Sequence, residues 1–368
     1  MAGIYIHIPF CKQRCSYCDF FSSTKIHLKE NYVDLLCEEL SERKDYLQEP
    51  VKTIYFGGGT PSLLSAADFD KIFQAINSFF GEDKNREITM EANPDDLTSE
   101  YIESIKHLPF NRFSVGIQSF NDMELKLLNR RHNAKSAIHA IKLLQQAGYD
   151  NISIDLIYGL PGHTEEIWSK ILQKAIDLQI QHISAYHITY EAGTVLFNNL
   201  KKNRFSRIDE EVSNLLFDML IDTLAGAGFE HYEISNFARS GFRSLHNSSY
   251  WKGTPYIGIG SSAHSFNGTE RHSNRRALLR SYLSLGYDVE TIDEKTAYNE
   301  FIITRLRTME GIDFEELFSL FGKSRETYCL EQAQKYLDNG LLRFNRNNLQ
   351  LTRKGIFISD RIICDLMV

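Results

Sequence analysis

Between residues 4 and about 190 the chain repeats one unit, a short apolar stretch followed by an amphipathic one. The apolar stretches predict strands at 4–9, 53–57, 87–92, 112–118, 151–157 and 182–189. The amphipathic stretches predict helices at 29–47, 65–80, 98–107, 134–147 and 164–178. Repeated β-α units form a parallel sheet covered by helices. The sequence therefore predicts an α/β fold, a partial TIM-type barrel of six units.

The alternation inside these strands predicts an unusual interior. One face of the first strand carries Ile4, Ile6 and Ile8, and the other carries Tyr5 and His7. The later strands repeat this pattern, with small and polar residues on the second face. A closed barrel fills its interior with branched apolar side chains, and polar groups are costly to bury unless they are paired. We therefore expect an open barrel that holds a polar ligand.

Three cysteines follow the first strand with the spacing C-x3-C-x2-C: Cys11, Cys15 and Cys18. Thiolates this close in sequence can hold a metal ion or an iron–sulfur cluster. A 4Fe–4S cluster with three protein ligands would leave one iron open to an external molecule. The alternative is a structural zinc site, which needs a fourth cysteine or histidine. The nearest candidates, His7 and His27, do not have the usual zinc spacing, so the cluster is favoured.

Other polar motifs stand where the next predicted strands end. GGGTPS (57–62) follows the second strand, and Glu91, Gln118 and Asp155 lie at or near the ends of the next three. Barrel enzymes place their chemistry at the carboxyl ends of the strands. Together with the cysteine loop, these residues predict one site at one rim of the barrel.

The cysteine loop, with Tyr17 before its last cysteine, resembles the cluster loop of the radical S-adenosylmethionine (SAM) superfamily. The segments GGGTPS, EANP, GIQSF, NRRH and DLIYGLPG resemble its HemN/HemW branch, which contains coproporphyrinogen III dehydrogenases and haem chaperones. The resemblance implies a 4Fe–4S cluster on the three cysteines, with SAM on the open iron. It implies first-SAM contacts at Tyr5, Tyr17, Gly58 and Glu91. The positions that match the second SAM of the dehydrogenase are Gly59, Thr60, Gln118, Arg130 and Asp155.

Three departures favour the haem chaperones over the dehydrogenases. Phe20 stands where the dehydrogenase pattern has a further cysteine. Only ten residues precede Cys11, so we expect no N-terminal lid. HNSSYW (246–251) resembles the HNxxYW motif of the chaperones, which implies His246 as the haem ligand. The other histidines that remain candidates are His231, His264 and His272.

The C-terminal part predicts a long helix near 209–227, extended stretches at 229–235 and 255–266, and helices from about 276. Residues 326–365 have the order helix, strand, turn, strand, helix, which is typical of a winged helix, often a DNA reader. Acidic residues are interspersed with its basic ones, and the whole chain carries a formal charge of −7. Both features argue against nucleic-acid binding.

We predict a barrel region at 1–200, a connecting α+β region with HNSSYW at 201–290, and a winged-helix-like domain at 291–368. The composition, 42% hydrophobic and 24% charged, is that of an ordinary globular protein. No apolar run approaches the ~20 residues of a membrane span, and we expect no signal peptide. Cys37, Cys329 and Cys364 are scattered, as in proteins of the reducing cytosol.

The combined interpretation is a cytoplasmic haem chaperone that binds a 4Fe–4S cluster, SAM and haem and delivers haem to haem proteins. It leaves open whether SAM is cleaved, whether the protein forms a homodimer and whether it contacts a membrane peripherally. One alternative is a coproporphyrinogen III dehydrogenase of porphyrin biosynthesis, an activity that the departures speak against. A remote alternative is a winged-helix DNA or protein adaptor.

Overall fold

The predicted β-α units are present in the computed structural model, which describes residues 1–278 and 280–368. Six parallel strands stand side by side in chain order: β1 Ala2–Ile8, β2 Val51–Gly58, β3 Glu87–Ala92, β4 Arg112–Gln118, β5 Ile152–Tyr158 and β6 His182–His187. Their bounds differ from the predicted ones by at most two residues. The α/β partial barrel is therefore confirmed.

The helices between these strands cover one face of the sheet. They are α1 Lys29–Glu42, α2 Ala66–Phe80, α3 Ser99–Ile105, α4 Asp122–Leu127, α5 Ala134–Gln146 and α6 Glu165–Asp177. Side-chain caps set several of their starts: Ser65 and Asp68 form a capping box at α2, and Thr164 caps α6. The apolar strand residues, Ile4 and Ile6 among them, are fully buried in one cluster with the helix residues.

The other face of the sheet is polar, as the alternation predicted. The strand register places Thr89 beside Arg112 and Glu91 beside Ser114. It also places Asp155 beside Gly116 and Ser184. Arg112, Thr89, Ser153 and His182 are all at most 1% exposed on this face. The interior of the barrel is thus lined by polar and charged side chains rather than by the branched apolar residues of a closed barrel.

Six further strands extend the same sheet at both edges: β7 Glu230–Glu233, β8 Asn236–Ala238, β9 Tyr256–Ile259, β10 His264–Phe266, β11 Glu270–Asn274 and β12 Tyr287–Thr291. β9 pairs parallel with β1, and β8 pairs antiparallel with β6. The segment 201–290 therefore shares one sheet with the barrel. The boundaries 1–200, 201–290 and 291–368 stay a prediction.

Four helices belong to this middle part: α7 Val195–Lys201, α8 Glu210–Gly226, α9 Leu245–Trp251 and α10 Arg280–Leu285. α8 matches the helix predicted near 209–227. A helix was predicted from about 276, and α10 begins at Arg280. Residue 279, within the predicted range, lies outside the described residues.

The C-terminal part has its own small sheet and apolar cluster. Its elements are α11 Glu294–Leu306, β13 Ile312–Asp313, α12 Phe314–Asp338, β14 Leu342–Asn345, β15 Asn348–Leu351, α13 Arg353–Ile356 and α14 Ser359–Leu366. The three strands pair antiparallel in the order β13-β15-β14. Gly322, with φ +74°, interrupts α12. The predicted helix–strand–turn–strand–helix order is confirmed. In the described ranges no helix is both long and apolar enough to cross a membrane.

A buried ion pair ties α1 to the strands at the β1 edge. Glu39, 3% exposed, accepts hydrogen bonds from the Gly260 amide (2.8 Å), Asn274 Nδ2 (2.7 Å) and Arg43 Nη1 (3.1 Å). Arg43 also donates to the Gly258 carbonyl at 3.0 Å. A satisfied buried network of this kind rigidifies the elements that it joins. The network thereby holds the strands from β9 through β11 against the barrel.

Replacing Glu39 with Ala should lower the free energy of unfolding by about 3–5 kcal/mol, because Arg43 would be left buried without its carboxylate partner. Chemical denaturation measures the change. Glu38→Ala, on the exposed side of the same helix, is the matched control and should change stability by less than about 0.5 kcal/mol. Equal losses for the two variants would show that the network does not hold the edge strands.

Candidate functional site

The three cysteines lie half-buried in the loop after β1. Cys11 donates its amide hydrogen to the Ser23 carbonyl at 3.0 Å, which closes the loop on itself. Ser16 donates from its amide to the Leu128 carbonyl (3.0 Å) and from its hydroxyl to the Leu127 carbonyl (2.8 Å). The loop is thus fixed to the end of α4 at the carboxyl rim of the sheet.

A chain of hydrogen bonds connects two of the cysteine sulfurs. Thr60 Oγ1 donates to Cys11 Sγ at 3.5 Å, and Arg130 Nη1 donates to Cys15 Sγ at 3.3 Å. Asn93 lies between the two donors: its Oδ1 accepts from Arg130 at 2.6 Å, and its Nδ2 donates to Thr60 at 3.1 Å. Hydrogen bonds to sulfur tune the potential of iron–sulfur clusters. Asn93 was not among the predicted site residues, although the EANP motif contains it.

The donor set fits an iron–sulfur cluster. Burial, with Cys15 close by, raises the pKa of Cys11, and burial raises the pKa of Cys18 to about 11. The metal-free loop therefore holds these groups as thiols, and metal binding would displace their protons. Within residues 1–278 and 280–368, no three His, Cys, Asp or Glu residues lie close enough to share one metal ion. In a cubane cluster each cysteine binds a different iron.

Two carboxyl groups lie in the barrel interior below the loop. Glu91 Oε1 accepts from the Tyr55 hydroxyl at 2.8 Å, and Oε2 accepts from the Gly58 amide at 3.1 Å. Burial raises the pKa of Glu91 to about 7, and the nearby Asp155 adds to the effect. Burial also raises the pKa of Asp155 to about 6. Because a cation would favour their charged forms, this interior suits a positively charged ligand.

The glycines after β2 are required by close packing. Gly58 has φ +107°, and a Cβ there would lie 2.5 Å from the His7 ring. A Cβ at Gly59 would lie 2.8 Å from the carbonyl oxygens of Ile8 and Phe10. Residues with a side chain would therefore push the GGGTPS loop away from the start of the cysteine loop.

The other predicted SAM positions lie around the same interior. Gln118 ends β4 with φ +68°, and its side chain folds back over Gly116, where a Cβ would lie 2.9 Å from Nε2. Tyr17 packs on an apolar cluster that includes Leu128 and Leu160. Tyr5 stacks on Tyr55 with ring centroids 6.2 Å apart. Gln118 and Tyr17 thus lie toward the carboxyl rim, whereas Tyr5 lies deeper in the interior, where its ring also stacks on His246 with centroids 6.5 Å apart.

Several buried polar atoms of the interior have no hydrogen-bond partner in the described protein. They include Nε and Nη1 of Arg112, Oγ1 of Thr89 and Nε of Arg130. Buried polar groups are nearly always paired, so each such atom indicates water or a ligand. Arg112 was missed in the sequence analysis. Arg112 could have been identified from the sequence, because it stands two residues before Ser114 and therefore on the polar face of a predicted strand.

Helix α9, which carries HNSSYW, closes the amino-terminal end of the barrel. The Glu87 carboxylate, at the start of β3, accepts hydrogen bonds from the amides of Leu245 (3.0 Å) and His246 (2.9 Å). Negative charge at the first turn stabilises a helix. Ser244 caps the same turn by accepting from the Asn247 amide at 3.3 Å.

The His246 ring points into the barrel and is 1% exposed. Its Nδ1 bonds to Thr53 Oγ1 and its Nε2 to the Tyr250 hydroxyl, both at 2.8 Å. Burial lowers the pKa of His246 to about 3, and Arg112 contributes to the lowering. The ring is neutral, and in this conformation both of its nitrogens are engaged.

The three other candidate histidines differ in access. His231 Nε2 bonds to the Ile234 carbonyl at 3.1 Å, and its ring stacks on Phe237. His272 is 8% exposed and its Nε2 lies 3.2 Å from the Glu270 carboxylate. His264 is exposed, and its Nδ1 bonds to Ser273 Oγ at 3.0 Å.

Comparisons with known proteins identify the family of the chain. The family model described as "Radical SAM superfamily" matches residues 5–175, and that described as "HemN C-terminal domain" matches residues 292–358. The chain is 33% identical to "Heme chaperone HemW" of Lactococcus lactis over 97% of this chain and 95% of that one. It is 30% identical to "Heme chaperone HemW" of Bacillus subtilis over 98% of both chains.

A solved structure has the same fold. Coproporphyrinogen III oxidase (HemN) from Escherichia coli superposes with a TM-score of 0.86 at 21% identity, over 100% of this chain and 90% of that one. The fold, the cysteine loop and the superfamily match define a radical SAM protein. Within that superfamily the chain belongs to the HemW family, with which it shares its full length.

Replacing Glu91 with Gln should stabilise the metal-free protein more at pH 8 than at pH 5. The pKa of Glu91 is raised from 4.5 to about 7 on folding, so ionisation costs the folded state stability as the pH rises through this window. Gln has no such cost, and we expect a gain on the order of 2–3 kcal/mol at pH 8 in chemical denaturation.

The control is Glu191→Gln, at an exposed position, which should give the same small change at both pH values. A Glu91→Gln effect that does not vary with pH would contradict the raised pKa and the polar, desolvated interior that it describes.

Proposed function

We propose that this protein is a haem chaperone that carries a 4Fe–4S cluster, binds SAM and haem, and delivers haem to haem proteins. The observation that carries the proposal is the full-length similarity to relatives named heme chaperone HemW. Membership of the radical SAM superfamily implies the cluster and SAM. A cytoplasmic location, a homodimer and a peripheral membrane contact stay predictions.

Cys11, Cys15 and Cys18 would hold the cluster, with Thr60 and Arg130 donating hydrogen bonds to two of the sulfurs. When bound, a cluster with three protein ligands supplies an electron and an open iron to which SAM binds. In the interior, the carboxyl groups of Glu91 and Asp155 would pair with the positive charge of SAM. The remaining residues proposed to surround SAM are Tyr5, Tyr17, Gly58, Gly59, Thr60, Gln118 and Arg130.

His246 stays the haem ligand predicted by the HNSSYW motif. To bind iron, its ring would have to give up its hydrogen bond to Thr53 or to Tyr250. Such a change requires α9 to move away from the base of the barrel, because the ring is 1% exposed.

The charges of the winged C-terminal part argue against a nucleic-acid partner. Arg353, a basic residue of this part, forms ion pairs with Asp218 and Asp222 of α8. Lys335 pairs with Asp365 in the same way. These cations are already neutralised within the chain, which leaves less positive charge for phosphates.

Replacing Cys15 with Ala should abolish the broad iron–sulfur absorbance of anaerobically reconstituted protein, because two thiolates do not hold a stable cubane. Iron and sulfide analysis should fall in parallel. Cys364→Ala, which removes an exposed cysteine far from the loop in sequence, should leave both unchanged. Stoichiometric zinc without iron in the unmodified protein would contradict the proposed cluster.

The experiment that tests the function combines a haem titration with an anaerobic assay of reconstituted protein, SAM, reductant and coproporphyrinogen III. We expect about one haem per chain and no protoporphyrinogen. Product formation without a specific haem complex would overturn the proposal in favour of a coproporphyrinogen III dehydrogenase, whose pattern has a cysteine where this chain has the exposed Phe20.

A further inference from the structure

We propose that haem enters an aromatic cleft between the cysteine loop and α9, and that the Tyr250 hydroxyl occupies the iron-binding nitrogen of His246 until haem displaces it. This inference rests on the proposed function, since it assumes that the chain carries haem with His246 as the ligand. It adds the pocket for the porphyrin, a tyrosine that gates the ligand, and a cation for the haem propionates, Arg276.

The cleft lies beside the polar face of β1, and aromatic side chains form much of its wall. It has a volume of about 360 Å³. Tyr5 of β1, Phe20 and Phe21 of the segment after the cysteines, Tyr250 of α9 and Tyr256 of β9 all line it. Phe20 is 65% exposed, so a bound porphyrin would remove apolar surface from water there. Clefts of this size are typical sites for small molecules, and flat aromatic walls suit the faces of a porphyrin.

The ring of His246 lies directly behind this wall. It stacks on Tyr5 with ring centroids 6.5 Å apart, and it meets the Tyr250 ring edge-on with centroids 5.1 Å apart. Both tyrosines line the cleft. His246 and Tyr250 stand four positions apart on α9, about one helical turn, and therefore share a face of the helix. Displacing the Tyr250 side chain would thus open the histidine to the cleft.

The two hydrogen bonds of the His246 ring match the two contacts that a haem ligand needs. Nδ1 bonds to Thr53 Oγ1 and Nε2 to the Tyr250 hydroxyl, both at 2.8 Å. A metal-binding histidine usually has its other nitrogen held by a neighbouring group, which orients the ring. Thr53 of β2 provides that hold, whereas the Tyr250 hydroxyl stands where iron would bind. With the ring proton on Nδ1, the Nε2 lone pair becomes available when Tyr250 leaves.

A cation at the edge of the cleft fits the two carboxylates of haem. Arg276 is exposed there, and no ion pair to it is present within residues 1–278 and 280–368. Guanidinium groups bind carboxylates with two parallel hydrogen bonds. Asp19 also lines the cleft, but it does not pair with Arg276 in the described chain. Arg276 is therefore available to a propionate.

The first test is a haem titration of Tyr250→Phe in the full chain, reconstituted anaerobically and followed by the Soret spectrum. The variant keeps the ring but leaves Nε2 of His246 buried without a partner in the haem-free protein, which is unfavourable. Because haem binding relieves this cost, the affinity should rise roughly fivefold or more, with an unchanged spectrum. An equal or lower affinity would overturn the gate. The control is Tyr328→Phe, which removes a hydroxyl bonded to the Met367 carbonyl in the C-terminal part and should change neither.

The second test concerns the propionates. Arg276→Gln should weaken binding of haem several-fold but not of haem dimethyl ester, which lacks the propionate charges. Arg346→Gln, at an exposed position of the C-terminal part, is the control and should affect neither ligand. Equal losses for both haems, or no loss for either, would overturn the assignment of Arg276.

The third test concerns the wall of the cleft. Phe20→Ala should weaken haem binding several-fold, because it removes apolar surface that the porphyrin would cover. Phe318→Ala removes a phenylalanine that is 51% exposed elsewhere on the molecule and should leave the affinity unchanged. Equal affinities for the two variants would place haem outside this cleft.

Failure of this inference can be distinguished from failure of the proposed function. His246→Ala should change the spectrum of bound haem, whereas His264→Ala, which alters another histidine of the same cleft, should not. Absence of stoichiometric haem on the unmodified chain, or a spectrum that His246→Ala leaves unchanged, would overturn the proposed function. A spectrum that depends on His246, without tighter binding in Tyr250→Phe, would overturn the gate alone.

Discussion

The burial of charge on one face of the sheet is the constraint on which the rest of the structure depends. Arg112 lies on that face with two nitrogens that have no hydrogen-bond partner among the described residues, and Glu91 and Asp155 lie farther along it. A cation and two carboxyl groups away from water destabilise a fold unless they are paired or bind something. Helix α9 closes one end of the barrel, and the loop of cysteines lies at the other end.

This arrangement shows which contacts the motifs shared with the family make. GGGTPS provides the Gly58 amide that binds Glu91 and the Thr60 hydroxyl that binds Cys11. EANP provides both Glu91 and Asn93, and NRRH provides Arg130, which contacts Asn93 and Cys15. These segments are far apart in sequence and meet only at the carboxyl ends of parallel strands. Their joint function is to hold the cysteine loop against the polar interior.

Much of the fold could be predicted because strands and helices are marked by patterns of neighbouring residues. Period-two alternation located β1 to β6 to within two residues, and capping residues such as Ser65 begin the helices where expected. The addition of β9 beside β1 could not be predicted. It is a parallel pairing between residues about 250 positions apart, and strand propensity does not say which partner a strand chooses.

The site was predicted in part, for a similar reason. Residue types and spacing identified Cys11, Cys15, Cys18 and the rim residues, because their chemistry is visible in the sequence. The environment of His246 was not visible, since a motif match does not show whether a ring nitrogen is already bonded to Thr53 or Tyr250.

The most direct test of the account is whether Cys11, Cys15 and Cys18 hold a cluster whose open iron binds SAM beside the polar interior. Electron paramagnetic resonance of the anaerobically reconstituted, reduced protein measures this, because a ligand on the open iron changes the signal of the cluster. We predict an iron–sulfur signal whose shape changes when SAM is added. A cluster signal that SAM leaves unchanged would contradict the account.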